Sequence, residues 1–229
     1  MRTNSPLPMF FRNGQPVEDV YTKLLLHFDG NDGDTTSTDS SGQAHSLTLA
    51  GNTEIDTAQS VFGGSSCYFP GSTGDYVETP YSTDFDLGTI WTIDFRMRYP
   101  TGPSGYVKVL STRGGAAGYE IAHTHGNWYV EFFGTNPSGV NWASGITSVV
   151  DTWYHVASVA DGTNLKLYIN GLQRMSVAYT ADVSSGLSNL RIGGGAAGGE
   201  EFTGWIDELR IVKGEAKWTT NFTPPTSEY

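Results

Sequence analysis

Bulky and polar side chains alternate with a period of two along much of the 229-residue chain, and no stretch carries the 3.6-residue period of an amphipathic helix. The cleanest case is Trp91-Thr92-Ile93-Asp94-Phe95-Arg96-Met97-Arg98. Here Trp91, Ile93, Phe95 and Met97 share one face, while Asp94, Arg96 and Arg98 take the other. That pattern predicts a strand with one face in a core. Further strands are predicted at 24–28, 46–49, 66–69, 76–78, 106–111, 119–123, 127–133, 152–159, 165–169 and 190–193. Turn dipeptides separate them, Asp161-Gly162 and Asn170-Gly171 being the strongest. Strands punctuated at about every 8–12 residues predict an all-β sandwich.

The last stretch, Phe202 to Lys213, organises the rest. Simple alternation puts Trp205, Leu209 and Ile211 on one face and Glu208 and Arg210 on the other. Asp207 then falls on the inward parity between Trp205 and Leu209. A carboxylate in that place needs hydrogen bonds, a counter-charge or a metal ion, because burying it bare costs several kcal/mol.

Residues 1–22 break the pattern. They hold Pro6, Pro8, Asn13-Gly14 and Pro16, show no periodicity, and are expected to form an extended arm ahead of one domain over 23–229. A second irregular stretch, Asp29-Gly30-Asn31-Asp32-Gly33-Asp34, concentrates acids and glycines. It lacks the glutamate and flanking helices of an EF-hand, so that motif is excluded. Gly-Gly-Ala-Ala-Gly occurs at 114–118 and at 194–198 without the Lys-Ser/Thr of a phosphate loop.

Composition narrows the partners. The formal net charge of −11 argues against nucleic acid and anionic membrane, both of which require basic patches. No apolar run approaches the roughly 20 residues of a membrane span. Cys67 is the only cysteine, so it reads as a small buried hydrophobe. The proline-broken start is not a secretory leader, which implies synthesis in a cytosol.

Several phrases occur together and in order: Leu26-His27-Phe28-Asp29-Gly30, Trp91 to Met97, Asp151-Thr152-Trp153-Tyr154-His155-Val156-Ala157, Leu167-Tyr168-Ile169-Asn170-Gly171, and Phe202 to Ile211. This set, spanning roughly 23–225, resembles the laminin G-like domains of the concanavalin A-like lectin/glucanase superfamily, of the kind found in phage and marine bacterial proteins. The resemblance implies a jelly roll of two curved antiparallel sheets. It also implies a structural calcium ion at the rim, with Asp207, Asp29 and the carbonyl of Gly71 as ligands. A purely hydrogen-bonded Asp207 is the alternative.

Three functions follow from the resemblance. Glucanase activity is set aside, because the Glu-x-Asp-x-x-Glu phrase of those relatives is missing and no other nucleophile set stands out. His123 and His125 are read as solvated turn residues. Binding of cell-surface polysaccharide is the second, with Asn127, Trp128 and Trp142 as the candidate sugar platform, although most rings of a sandwich belong to its core. The third is a non-enzymatic virion structural or decoration protein on a phage surface. Its arm would contact other virion proteins or copies of itself, and a trimer is expected although no residue pattern specifies the number. A stand-alone lectin-like module is the competing reading.

Overall fold

The computed structural model describes residues 11–12, 15–16, 19–102, 105–112, 117–124, 127–133, 139–144, 149–195 and 200–229; for 11–12, 15–16, 129–133 and 139–144 it describes the backbone only. The arm contributes a small ladder of its own, β1 (Phe11–Arg12) with β2 (Gln15–Pro16), which joins neither large sheet. The domain follows with β3 (Thr22–Leu26), β4 (Thr48–Ala50), β5 (Glu54–Asp56), β6 (Ser66–Phe69), β7 (Tyr76–Thr79) and β8 (Ile90–Arg98). Next come β9 (Val107–Ser111), β10 (Gly118–Thr124), β11 (Asn127–Phe133), β12 (Gly139–Ser144), β13 (Tyr154–Asp161) and β14 (Asn164–Ile169). The set ends with β15 (Leu172–Ala178), β16 (Leu190–Ile192) and β17 (Gly204–Lys213). The helical content among the described residues is one 3₁₀ turn, Thr83–Phe85, capped by the Ser82 side chain.

The strands form two antiparallel sheets. One runs β12-β11-β10-β9-β16-β7-β4 and the other β15-β14-β13-β8-β17-β6-β5, with β3 added beside β17. The core between them takes the inward positions expected of β8: Trp91, Ile93, Phe95 and Met97 are all buried there. Each such side chain contributes about 1.5–3 kcal/mol on leaving water. Leu110, Tyr119, Ile121 and Trp128 answer from the opposite sheet.

β17 is the spine. One edge pairs with β8 along its length; the other pairs with β6 in its first half and β3 in its second. Its register against β8 slips between Asp207 and Arg210, and Glu208 has φ 50°, a left-handed value for a residue with a side chain. This is a β-bulge, and it exchanges the two faces of the strand. Ile206, Leu209 and Ile211 therefore enter the core, whereas Trp205 does not. It lies half-buried on the outer face, where its indole N–H donates to Asp56 Oδ2 at 2.8 Å. Both sequence expectations for this strand need correction, since Asp207 also points away from the core. It is nonetheless fully buried, because residues 61–62 fold over it and donate backbone N–H groups to Oδ2 at 2.7 and 3.3 Å.

That outer face is covered too. Residues 214–229 cross it, and Trp218 and Phe222 stack at 4.0 Å with only 6° between their planes. With Ala216 they form a second apolar cluster on Ala157, Val159 and Tyr168. Beside it lies a buried polar group. Asp94 accepts from Arg210 Nε at 3.1 Å and Nη2 at 3.3 Å, and from the Tyr229 hydroxyl; it also meets His155 Nε2 at 3.3 Å. Burial alone would raise the Asp94 pKa, but the His155 bond and the Arg210 charge hold it below the ordinary value. The same burial pushes the His155 pKa down, against the pull of Asp94.

The strap made by residues 214–229 is thus part of the folded domain. Trp218→Ala is expected to cost roughly 2–3 kcal/mol, somewhat below the value for a fully buried tryptophan, since the ring is only half-buried. Urea unfolding checks it; an unchanged midpoint would show that the strap packs without contributing.

Candidate binding site at the rim

The end of the sandwich near the β8–β9 and β16–β17 connections holds a cleft of ≈ 310 Å³, lined by Gly71, Tyr99, Thr101, Gly102, Val107, His123, Glu201, Phe202 and Thr203. Each wall follows from local chemistry. Gly71 turns the chain after β6 at φ 84°; a Cβ there would stand 1.9 Å from Thr203 Oγ1, so only glycine lets the two loops meet. Tyr99 follows β8, and its carbonyl accepts from Asp151 N–H at 2.9 Å. Residues 200–203 are tied to their neighbours by Lys108 N–H to Glu200 O at 2.7 Å and Phe202 N–H to Gly193 O at 2.8 Å. Lys108 reinforces this with Nζ 2.7 Å from Glu200 Oε2 and 3.1 Å from Glu120 Oε1.

The floor is aromatic. His123 is wholly buried, with ring centroids 5.4 Å from Tyr99 and 4.5 Å from Trp128. This corrects the reading of His123 as a solvated turn residue. It occupies the inward parity of β10 shared with Tyr119 and Ile121, a signal that the alternation carried. His125 lies outside the described residues. The rings of Tyr99, His123 and Phe202 back the cleft but are at most 2% exposed, so among the described lining residues its open surface is made by Gly71, Thr101, Gly102, Val107, Glu201 and Thr203. Glycoside hydrolysis uses a pair of carboxylates; a ligand rich in hydroxyl groups needs only surface and hydrogen-bond partners.

Asn127, Trp128 and Trp142, the sequence-predicted sugar platform, lie on the paired strands β11 and β12. Trp128 is 1% exposed and belongs to the core behind His123, so its ring offers no face to solvent. Asn127 is half-buried at the β10–β11 hairpin, where its Nδ2–H reaches Thr124 Oγ1 at 3.4 Å. Trp142 is the Cα partner of Tyr129 on the edge strand β12, and its side chain lies outside the described residues.

The three expected calcium ligands separate as well. Asp29 and Asp207 both meet the turn at 61–64: a Cβ on Gly63 would lie 1.7 Å from Asp29 Oδ1, and Asp207 takes the amides of Val61 and Phe62. Gly71 belongs to the rim cleft instead. Among the described residues no group of three or more His, Cys, Asp or Glu is arranged to hold a metal. Asp29 and Asp207 thus share one turn while Gly71 lines the cleft, and what the turn offers a cation is Asp207 Oδ1, buried and without a hydrogen-bond partner.

Burial pushes the Asp207 pKa up to about 7, against the two amides that favour the charged form. The folded state then holds a proton that the unfolded chain has lost. Stability falls as pH rises between the unfolded carboxylate value and about 7, and the loss is complete above it. Asp207→Asn is expected to raise the melting temperature at pH 8 by several degrees and to leave it unchanged at pH 4, as followed by calorimetry. Calcium that raises the parent's melting temperature at pH 8, but not the variant's, would instead place a cation on Oδ1.

Comparison with known proteins agrees with this architecture. The Laminin_G_3 family, described as the concanavalin A-like lectin/glucanases superfamily, matches residues 71–219. No curated protein matches the chain in sequence. Among solved structures, domain 4 of the extracellular arabinanase AbnA from Geobacillus stearothermophilus, in complex with arabinotriose, aligns with a TM-score of 0.61 at 18% identity, covering 86% of this chain and 94% of that one. The binding domain of Paraclostridial Mosquitocidal Protein 1 aligns with a TM-score of 0.64 at 14% identity over 86% of this chain, and the receptor-binding domain of botulinum neurotoxin type G with 0.63 at 14% over 85%. The chain spans about half the length of these two toxin domains, 49% and 48%. Two antiparallel sheets, a core between them and a family match across most of the domain lead to one assignment: the chain belongs to the Laminin_G_3 family of the concanavalin A-like lectin/glucanases superfamily.

Proposed function

We propose that the protein is a non-catalytic, lectin-like glycan-binding module, with the rim cleft as its sugar site. The observation that carries this reading is the cleft itself, ≈ 310 Å³ walled by Tyr99, His123, Phe202, Thr101, Thr203 and Glu201. That volume is at the low end for small-molecule sites and suits a short glycan segment. Two neighbours of the same fold support it: the arabinanase domain is described with arabinotriose, and botulinum neurotoxin type C is described as depending on two ganglioside molecules for cell entry.

A panel of oligosaccharides titrated by calorimetry tests the proposal. Thr203→Val is expected to weaken binding by about tenfold, the loss of one hydrogen bond to a ligand at roughly 1.4 kcal/mol, with the melting temperature unchanged. If Trp142→Ala abolishes binding while Thr203→Val leaves it intact, the sugar site lies on the β11–β12 edge and not in the cleft.

The finer role, a virion subunit held by its N-terminal arm, is proposed on the sequence resemblance, with the separate β1–β2 ladder in support. Light scattering should compare the full chain with one starting at Asp19, because Thr22 N–H bonds to Asp19 O and Lys213 N–H to Tyr21 O within the domain. The full chain is expected to be oligomeric and the shortened chain monomeric. Two monomers would sink the idea that the arm assembles copies of the chain.

A further inference from the structure

The strap of residues 214–229 carries three aromatic side chains, Trp218, Phe222 and Tyr229, and all three meet one residue of the sheet, His155. The Trp218 and Phe222 ring centroids lie 5.5 and 5.6 Å from that of His155, each plane at 89° to it. Those two rings are themselves stacked at 4.0 Å, so a ring equally distant from both stands beside the stack and not over a face. It therefore meets their rims, the positive end of an aromatic quadrupole. The Tyr229 hydroxyl lies 3.3 Å from His155 Nε2 and donates to Asp94. His155 is wholly buried, and its Nδ1 has no hydrogen-bond partner.

This setting suits the neutral ring and opposes the cation. β8 supplies Asp94 and Arg96, and β17 supplies Arg210 and Glu208. Asp94 is the anion in contact, at 3.3 Å, but Arg210 already holds it through Nε and Nη2. Glu208 is turned to His27 Nδ1 at 2.8 Å and to the Tyr229 amide at 3.3 Å. From β14 comes Lys166, held by Asp161 at 2.7 Å, and the turn after it gives Asn170, whose Oδ1 accepts the His155 N–H. The strap itself brings Glu228 and Lys217, the latter paired with Glu215 at 2.8 Å. A proton on His155 would thus set a third cation beside Arg96 and Arg210, against a carboxylate that is already shared. Burial and the two arginines push the His155 pKa down in spite of Asp94.

We propose that His155 is an acid-sensitive release for the strap: its protonation loosens residues 214–229 from the outer face and uncovers Ala157, Val159 and Tyr168. Once the strap has lifted, the ring regains its ordinary value of 6.5 and takes up a proton that the docked form refuses. Docking is therefore strongest above 6.5 and weakens as pH falls below it. Two other groups run the opposite way. Burial raises the Asp207 pKa and the Glu208 bond raises that of His27, so acid favours the folded form at both. A melting temperature mixes these contributions, and a local measurement separates them.

Hydrogen exchange followed by NMR on the full chain reads two strap amides, Lys217 bonded to Thr92 Oγ1 and Phe222 bonded to Gly171 O, against the β8–β13 ladder. Between about pH 7.5 and 5 the strap's protection factors are expected to fall by about tenfold or more while those of the ladder stay level. His155→Gln, which does not titrate, should hold the strap's protection level across that range. Protection indifferent to pH in the parent would overturn the proposal, and so would an acid loss that persists in His155→Gln. If that variant does not fold, the ring signals of His155 in the parent decide. Titration at or above 6.5 overturns the release; titration below it, alongside loss of strap protection, supports it.

Discussion

Almost everything in this molecule depends on how β17 manages two faces at once. A strand in an ordinary sandwich has a core side and a water side. β17 has a core side and a second buried side, because the strap of residues 214–229 and the turn at 61–64 cover its outer surface. The bulge at Glu208 makes that possible. One extra residue exchanges the faces midway, so Ile206, Leu209 and Ile211 stay in the core while Asp207, Glu208 and Arg210 are delivered to the outer layer. The polar groups are then satisfied by elements far away in sequence: Asp207 by Val61 and Phe62, Glu208 by His27 at 2.8 Å, and Arg210 by Asp94. Unsatisfied, each would cost several kcal/mol, so strand, turn and strap form as one unit.

The same economy shapes the rim. The connections after β6 and β8 and before β17 meet at the end of the sandwich, where the two sheets stop covering each other. The cleft is the space left there, and its walls are fixed by backbone bonds and by one obligatory glycine. Its floor is core: His123, Tyr99 and Phe202 are nearly solvent-free residues that happen to end at an opening. Walls backed by core residues are pre-organised, which under the function proposed above lowers the ordering cost of holding a flexible ligand.

The strands with regular alternation were legible in the sequence, and for a physical reason. In β8 the period of two runs unbroken for its buried positions, so the inner face could be named residue by residue. β17 was misread because a bulge leaves no mark when the extra residue is a glutamate and not a glycine. β15 was passed over as a strand because it lies at a sheet edge and most of its residues are exposed, which removes the apolar period. For the site, Gly71 was named for its carbonyl and proves to matter for its missing side chain. Trp128 was named as a platform, yet aromatic residues beside a hairpin read alike whether they face water or the core. His123 was recoverable from the parity of β10, but Glu201, Phe202 and Thr203 were not. They come together with Tyr99 only through long-range packing that no local pattern encodes.

The strap has a consequence for the dynamics of the sheet beneath it. β13 and β14 are sealed between two apolar layers, the main core on one side and the Trp218–Phe222 cluster on the other. β13 accordingly reads as seven consecutive buried residues, a pattern more familiar from sheets with helices on both faces. Backbone amides in such strands reach solvent only when the fold opens globally. In hydrogen exchange, then, the slowest part of this protein would not be the inner face of the sandwich as a whole. It would be the narrow band of backbone held between the strap and the core.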